Sequence, residues 1–185
     1  MDRNRLAAEV EAHREALRAF VATAERLSDD AWNARRPGDK WSPAQIAEHL
    51  RLTYVTVKAE LTGRGGFRVR TKWWQQRLFR FLYLPKILRH GRFPKGVNAT
   101  REIRPGDGPF DRRELLDALL KEGEDFLANA TSDRIVNASV THPFLGKFGL
   151  VDGLRFLTQH TRHHHAQIAP AGEAPLASEP VALST

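Results

Sequence analysis

The stretch from Gly149 to Ala169, GLVDGLRFLTQHTRHHHAQIA, limits what this chain can fold into more than any other. At about 3.6 residues per turn it reads as an α-helix on which His160, His164 and Gln167 lie within roughly 60° of one another. Phe156, Leu157 and Ile168 share or border that face. Thr161, Arg162 and His165 fall on the other side with Arg155 and Asp152, so the helix has a polar face and the imidazoles of His160 and His164 are not on it. Histidines on an apolar stripe need hydrogen-bond partners or a ligand. Two of them at i and i+4 present ring nitrogens to a common point, where imidazole suits zinc, nickel, copper or iron.

The rest of the chain supplies three further long helices. Leu6, Val10, His13, Leu17, Phe20, Ala24 and Leu27 recur at steps of four and three, which predicts a first helix over residues 3–27. His13, alone among aliphatics on that seam, reads as a packed core residue rather than a ligand. Residues 28–40 are turn-rich, with Trp32 as a plug. Ser42, Pro43 and Gln45 form a helix start, with Ser as N-cap, Pro at the first position and Gln placed to bond back to the cap. The second helix runs from there to Leu61, and its inward face carries Ile46, His49, Leu52, Thr53 and Thr56. Asp111 and Glu114 form another capping box ahead of a third helix over 111–129, in which Gly123 permits close approach. His142-Pro143-Phe144-Leu145-Gly146 is a bend that delivers the chain into the fourth helix, and His142, which is within reach of the site, reads as structural.

His49 therefore joins His160 and His164 as a third inward histidine. Each taken alone fits a satisfied core residue. Together, if charged, they would repel one another and lose hydration, and a shared metal relieves both problems. With no cysteine in the chain, thiolate ligands, disulfides and cysteine nucleophiles are excluded, so any metal is held by His and oxygen. Glu48 points about 100° away from His49, and Glu60 lies three turns on, ~16 Å by helix rise, so neither has a strong claim as a general base. Gln167 is the better candidate for orienting a ligand or water, with a structural hydrogen bond as an equal alternative.

Charge is uneven. Residues 64–104 hold 12 Lys or Arg and one acid, Glu102, while the remainder of the chain is net negative. Seven of the 16 aromatics, Phe67, Trp73, Trp74, Phe79, Phe81, Tyr83 and Phe93, lie among those cations. Lys72 to Leu84 reads as a short helix stopped by Pro85, and residues 92–109 return extended. Such an arm suits nucleic acid, an anionic membrane or self-association as a homodimer. The preferred reading is a crossover whose aromatics plug one end of the protein while its cations reach water. No apolar run is long enough to span a membrane, and the charged N-terminus lacks a secretory core, so a cytoplasmic protein is expected. Residues 1–169 are expected to form one domain, followed by a flexible tail at 170–185.

Trp41-Ser42-Pro43 with Gln45 and His49, then His142-Pro143-Phe144-Leu145-Gly146, then His160-x-x-His163-His164-x-x-Gln167, resembles the DinB/YfiT-like superfamily of bacterial metalloproteins over residues 1–169. The resemblance implies an all-α four-helix bundle with a long crossover between its second and third helices. It implies a divalent metal, nickel or zinc, held by His49, His160 and His164, while His163 matches a motif position that is not normally a ligand. It also implies a small-molecule substrate, handled by a thiol-dependent S-transferase using a low-molecular-weight thiol or by a metal-dependent hydrolase. The basic, aromatic crossover departs from an average member.

Overall fold

The computed structural model describes residues 3–38, 40–94, 96–132 and 138–169. The expected tail at 170–185 lies outside them, as do residues 133–137 of the last connection. The elements are α1 (Arg3–Glu25), α2 (Asp29–Asn33), α3 (Pro43–Leu61), α4 (Trp73–His90), a 3₁₀ turn (Arg101–Ile103), α5 (Arg112–Ala130), β1 (Ser139–His142), β2 (Gly146–Gly149) and α6 (Leu150–Ile168). The fold is all-α, a four-helix bundle of α1, α3, α5 and α6, with α1 packed chiefly on α6 and α3 on α5. The connection from α3 to α5 is the long crossover and contains α4.

Local chemistry sets the helix ends. The Ser42 hydroxyl accepts from the Gln45 N–H, and the Gln45 side chain accepts from the Ser42 N–H, both at 3.1 Å, with Pro43 opening α3. Asp111 caps α5 by accepting from the Glu114 N–H at 2.8 Å. Phe20, Leu17, Ile46, Leu50, Tyr54, Leu119, Phe126, Leu127 and Leu154 fill the core. Each stabilises the fold by roughly 1.5–3 kcal/mol relative to an exposed side chain. Leu50, Tyr54 and Val57 carry more of the α3 core than the expected Leu52 and Thr56, which are half-buried. At Gly123 an added Cβ would run into Leu17, so α1 and α5 meet as closely as the glycine suggests.

Four local expectations are corrected. Pro85 does not stop α4, which continues to His90 and ends at Gly91 in the left-handed conformation, φ 61°. Pro85 removes one helical hydrogen bond, but burial of Leu84 and Ile87 against the bundle on either side of it holds the helix together. The turn-rich segment after α1 contains the short helix α2, capped by Ser28, which seats Trp32 in the core. The bend before α6 is an antiparallel hairpin, β1 with β2, in the register Val140 to Phe148 and His142 to Gly146. Finally, Thr161 and His165 are not on a solvated face. Thr161 pairs with the Tyr54 hydroxyl at 3.1 Å, and His165 Nε2 with the Thr23 hydroxyl at 2.8 Å. Helix α6 is enclosed by α1 and α3, so hydroxyl partners on those helices replace water.

The hairpin sits hard against α6. A Cβ added at Gly153 would lie 2.6 Å from Val140 Cγ2 and 2.9 Å from Val140 Cβ. A β-branched side chain cannot rotate its Cβ away, so the strand itself must move. Gly153→Ala is expected to lower stability by about 1–3 kcal/mol, read as an earlier urea unfolding midpoint. An unchanged midpoint would show that the hairpin is not pressed on this helix.

Candidate metal centre

Helices α3 and α6 aim three imidazoles at one point. His49 Nε2 lies 3.3 Å from His160 Nε2, which lies 3.1 Å from His164 Nε2. One ring nitrogen of each residue is within 4.8 Å of the other two. Two nitrogens bound at about 2.0–2.1 Å to one ion, at angles of about 100–110°, stand roughly 3.1–3.4 Å apart. The His49–His160 and His160–His164 pairs have that spacing, and the three residues together could hold a metal ion.

Partners behind the rings fix which nitrogen faces the centre. His49 Nδ1 donates to the Ile103 carbonyl at 2.7 Å, and His164 Nδ1 donates to Gln167 Oε1 at 3.0 Å. Both Nε2 atoms then carry a lone pair directed at His160 Nε2, which can offer at most one proton to the two of them. A cation satisfies all three nitrogens at once. Gln167 Nε2 donates in turn to His163 Nε2 at 2.9 Å, so His163 steadies Gln167 from outside the cluster. The Trp41 ring packs on His49 at 5.1 Å, Phe156 stacks on His160 at 6.2 Å, and Phe93 touches His160 and His163 at 5.8 and 4.9 Å. Phe93 and Ile103 both belong to the crossover, which thus supplies a wall and one hydrogen-bond acceptor.

Burial holds the rings neutral. It lowers the His49 pKa to about 4 against the upward pull of the Ile103 carbonyl. His160 and His164 are driven well below the ordinary histidine value, by burial first and then by the neighbouring rings. His163 is lowered by burial and by the Arg36 guanidinium. Neutral imidazole is the ligating form, so the cluster needs no deprotonation to take a metal at pH 7.

The remaining candidates have structural partners. His13 is fully buried, its Nδ1 3.1 Å from the Thr158 hydroxyl, and burial lowers its pKa to about 4. Since that hydroxyl donates to the Leu154 carbonyl, His13 Nδ1 is the donor. His142 Nδ1 accepts the N–H groups of Phe144 and Leu145, both at 3.2 Å, and so closes the hairpin turn. Its ring packs on Phe156 at 5.0 Å, and Phe156 in turn stacks on His160. Glu48 pairs with Arg51 at 2.7 Å, and Glu60 accepts from Thr141 N at 3.0 Å, which ties α3 to β1. Arg36 was not singled out in the sequence, yet it donates to the carbonyls of Trp41 and Gln167 at 2.7 and 3.1 Å and ties the start of α3 to the end of α6.

A pH dependence follows from the buried rings. Unfolded histidines titrate near pH 6.5, whereas His13 and His49 titrate near 4 in the fold. Between those values the unfolded chain binds more protons, so stability falls as pH drops through this window and levels off below it. Each ring contributes on the order of 3 kcal/mol over the full span. The urea midpoint of metal-free protein is expected to fall steadily from pH 7 to pH 4.5; a constant midpoint would contradict the burial of neutral rings.

Residues 9–168 match the sequence model of the DinB superfamily. The chain belongs to the DinB superfamily. Among solved structures, YfiT from Bacillus subtilis, described as a probable metal-dependent hydrolase with an unusual four-helix bundle topology, is similar to this DinB protein. The TM-score is 0.53 at 17% identity, over 91% of this chain and 86% of that one. That likeness bears on the fold. Comparison with curated proteins gives no match.

Proposed function

We propose that this DinB protein is a metal-dependent enzyme acting on a small molecule, with His49, His160 and His164 as ligands of one divalent ion, nickel or zinc. The observation that carries the reading is the convergence of three neutral Nε2 atoms, two of them with their other nitrogen already committed to an acceptor. A divalent ion held by three imidazoles supplies Lewis acidity and open coordination positions, the chemistry that makes a thiol or water nucleophilic near neutral pH. Gln167, with His163 behind it, holds the His164 ring in its ligating tautomer, and Ile103 does the same for His49. Trp41, Phe93 and Phe156 keep bulk water from the ring faces.

Between the two nucleophiles, a thiol fits better. Glu48 and Glu60, the carboxylates nearest in sequence on α3, are engaged by Arg51 and Thr141 and are not free to deprotonate water. A thiol ionises near pH 8.5 unaided and needs less help. The name of YfiT supports hydrolysis as the second reaction to test. The experiment loads the protein with nickel or zinc and follows low-molecular-weight thiols with an alkylating electrophile, and aryl esters without thiol. Thiol conjugation that requires the metal and disappears in His160→Ala is expected. Ester cleavage with the same dependence would assign hydrolysis instead, and metal-loaded protein inert in both assays would overturn the enzymatic reading.

A further inference from the structure

The crossover helix α4 is turned inside out. Its packed edge holds Leu84 and Ile87, with Tyr83 and Phe79 partly covered, whereas Trp73 is 70% and Phe81 80% exposed. Trp74, Leu78 and Leu82 are between 40% and 48% exposed. On a helical projection Phe81, Trp74, Pro85, Leu78 and Leu82 occupy one arc of roughly 100°, interrupted only by Arg89. Arg77 borders one edge of the arc and Lys86 the other. The helix contains no acidic residue.

A second feature adjoins it. Arg77, Arg80, Arg89 and Arg155 line an open groove of about 560 Å³ beside Phe81. Arg155 is paired with Glu9 at 3.3 Å, and Arg80 donates to the Lys147 carbonyl at 2.8 Å. Arg77 and Arg89 have no acidic partner among the described residues, and Arg77 lies 5.8 Å over the Trp73 ring. An apolar ridge bordered by such cations needs a partner that is apolar within and negatively charged at its surface.

We propose that α4 is a docking helix for an anionic lipid surface, with Trp74, Leu78, Phe81 and Leu82 entering the headgroup and upper acyl region while Arg77, Lys86 and Arg89 meet lipid phosphates. No described helix is long and apolar enough to cross a membrane, so the contact is peripheral. Single-stranded nucleic acid would use the tryptophans as stacking platforms but has no use for Leu78, Leu82 and Pro85. A symmetric second copy would set Arg77, Lys86 and Arg89 against themselves with no acid on the helix to offset them. The surface does not depend on the metal chemistry, and it places the histidine cluster near a membrane if both hold.

Flotation of the full chain with vesicles of phosphatidylcholine alone, or of phosphatidylcholine mixed with phosphatidylglycerol, tests this. Partitioning is expected to be about tenfold or more stronger with phosphatidylglycerol and to weaken in high salt. The double variant Trp74→Ser with Phe81→Ser should reduce it by about tenfold or more, since both rings lose their apolar burial. The helical circular dichroism and urea midpoint, measured alongside, should be unchanged and show that the variant folds. Any of three results would overturn the proposal: no vesicle binding at low salt, equal binding by wild type and double variant, or a dimer in sedimentation that the double variant dissociates. RNA binding that requires Trp74 while vesicles are ignored would assign the surface to nucleic acid instead.

Discussion

Replacing His164 by alanine is expected to lower divalent-metal affinity by about a thousandfold, while the same change at the adjacent His163 costs about a hundredfold at most. The two residues are neighbours in sequence but differ in role. His164 Nε2 is one of the three converging nitrogens, 3.1 Å from His160 Nε2. Structural zinc sites bind with about 10–16 kcal/mol, so one ligand of three stands for roughly 4 kcal/mol, or three decades. His163 instead accepts from Gln167, whose oxygen holds His164. Loss of a partner behind a ligand costs about 10–100-fold in affinity. Titration with competing chelators measures both variants. A His163→Ala variant as weak as His164→Ala would mean that His163 itself ligates.

Trp32→Ala is expected to destabilise the protein by about 3–5 kcal/mol, the usual cost of emptying a buried aromatic site. Trp32 is 2% exposed, and its indole Nε1 donates to the Phe110 carbonyl at 2.9 Å. It joins α2 to the chain entering α5, and Arg112 lies 5.8 Å over its ring. Asn33 Nδ2 also donates to Phe110 O at 3.1 Å, so the carbonyl is not orphaned and the loss is one of packing. For a domain with the usual 5–15 kcal/mol of stability this is a large fraction. Denaturant unfolding of the metal-free variant reads it directly, and a loss under about 1 kcal/mol would show that the plug is dispensable.

The sequence was most informative where one residue type carries one physical meaning. Ser42 with Pro43 and Gln45 could only open a helix, and the steps of three and four in α1 placed its seam correctly. His49, His160 and His164 could be grouped because their spacing put all three on inward stripes, and the structure brings them together. Partners contributed by backbone left no such trace: nothing about Ile103 as a residue announces that its carbonyl holds His49. The same holds for Thr161 and His165, which looked like a polar face because the hydroxyls that satisfy them lie on α1 and α3. Pro85 misled because a local breaker was outweighed by packing at Leu84 and Ile87. The aromatics of α4 were expected to plug the bundle; Trp73 and Phe81 instead face outward.

Three histidines from α3 and α6 are proposed to hold one divalent metal. Elemental mass spectrometry of untagged wild-type protein, purified without added metal and compared with His160→Ala, tests it most directly. Close to one nickel or zinc per chain is expected in the wild type and almost none in the variant. Wild-type protein that carries no metal and takes up neither Zn²⁺ nor Ni²⁺ when they are supplied would contradict it, and would leave His49, His160 and His164 as packing residues.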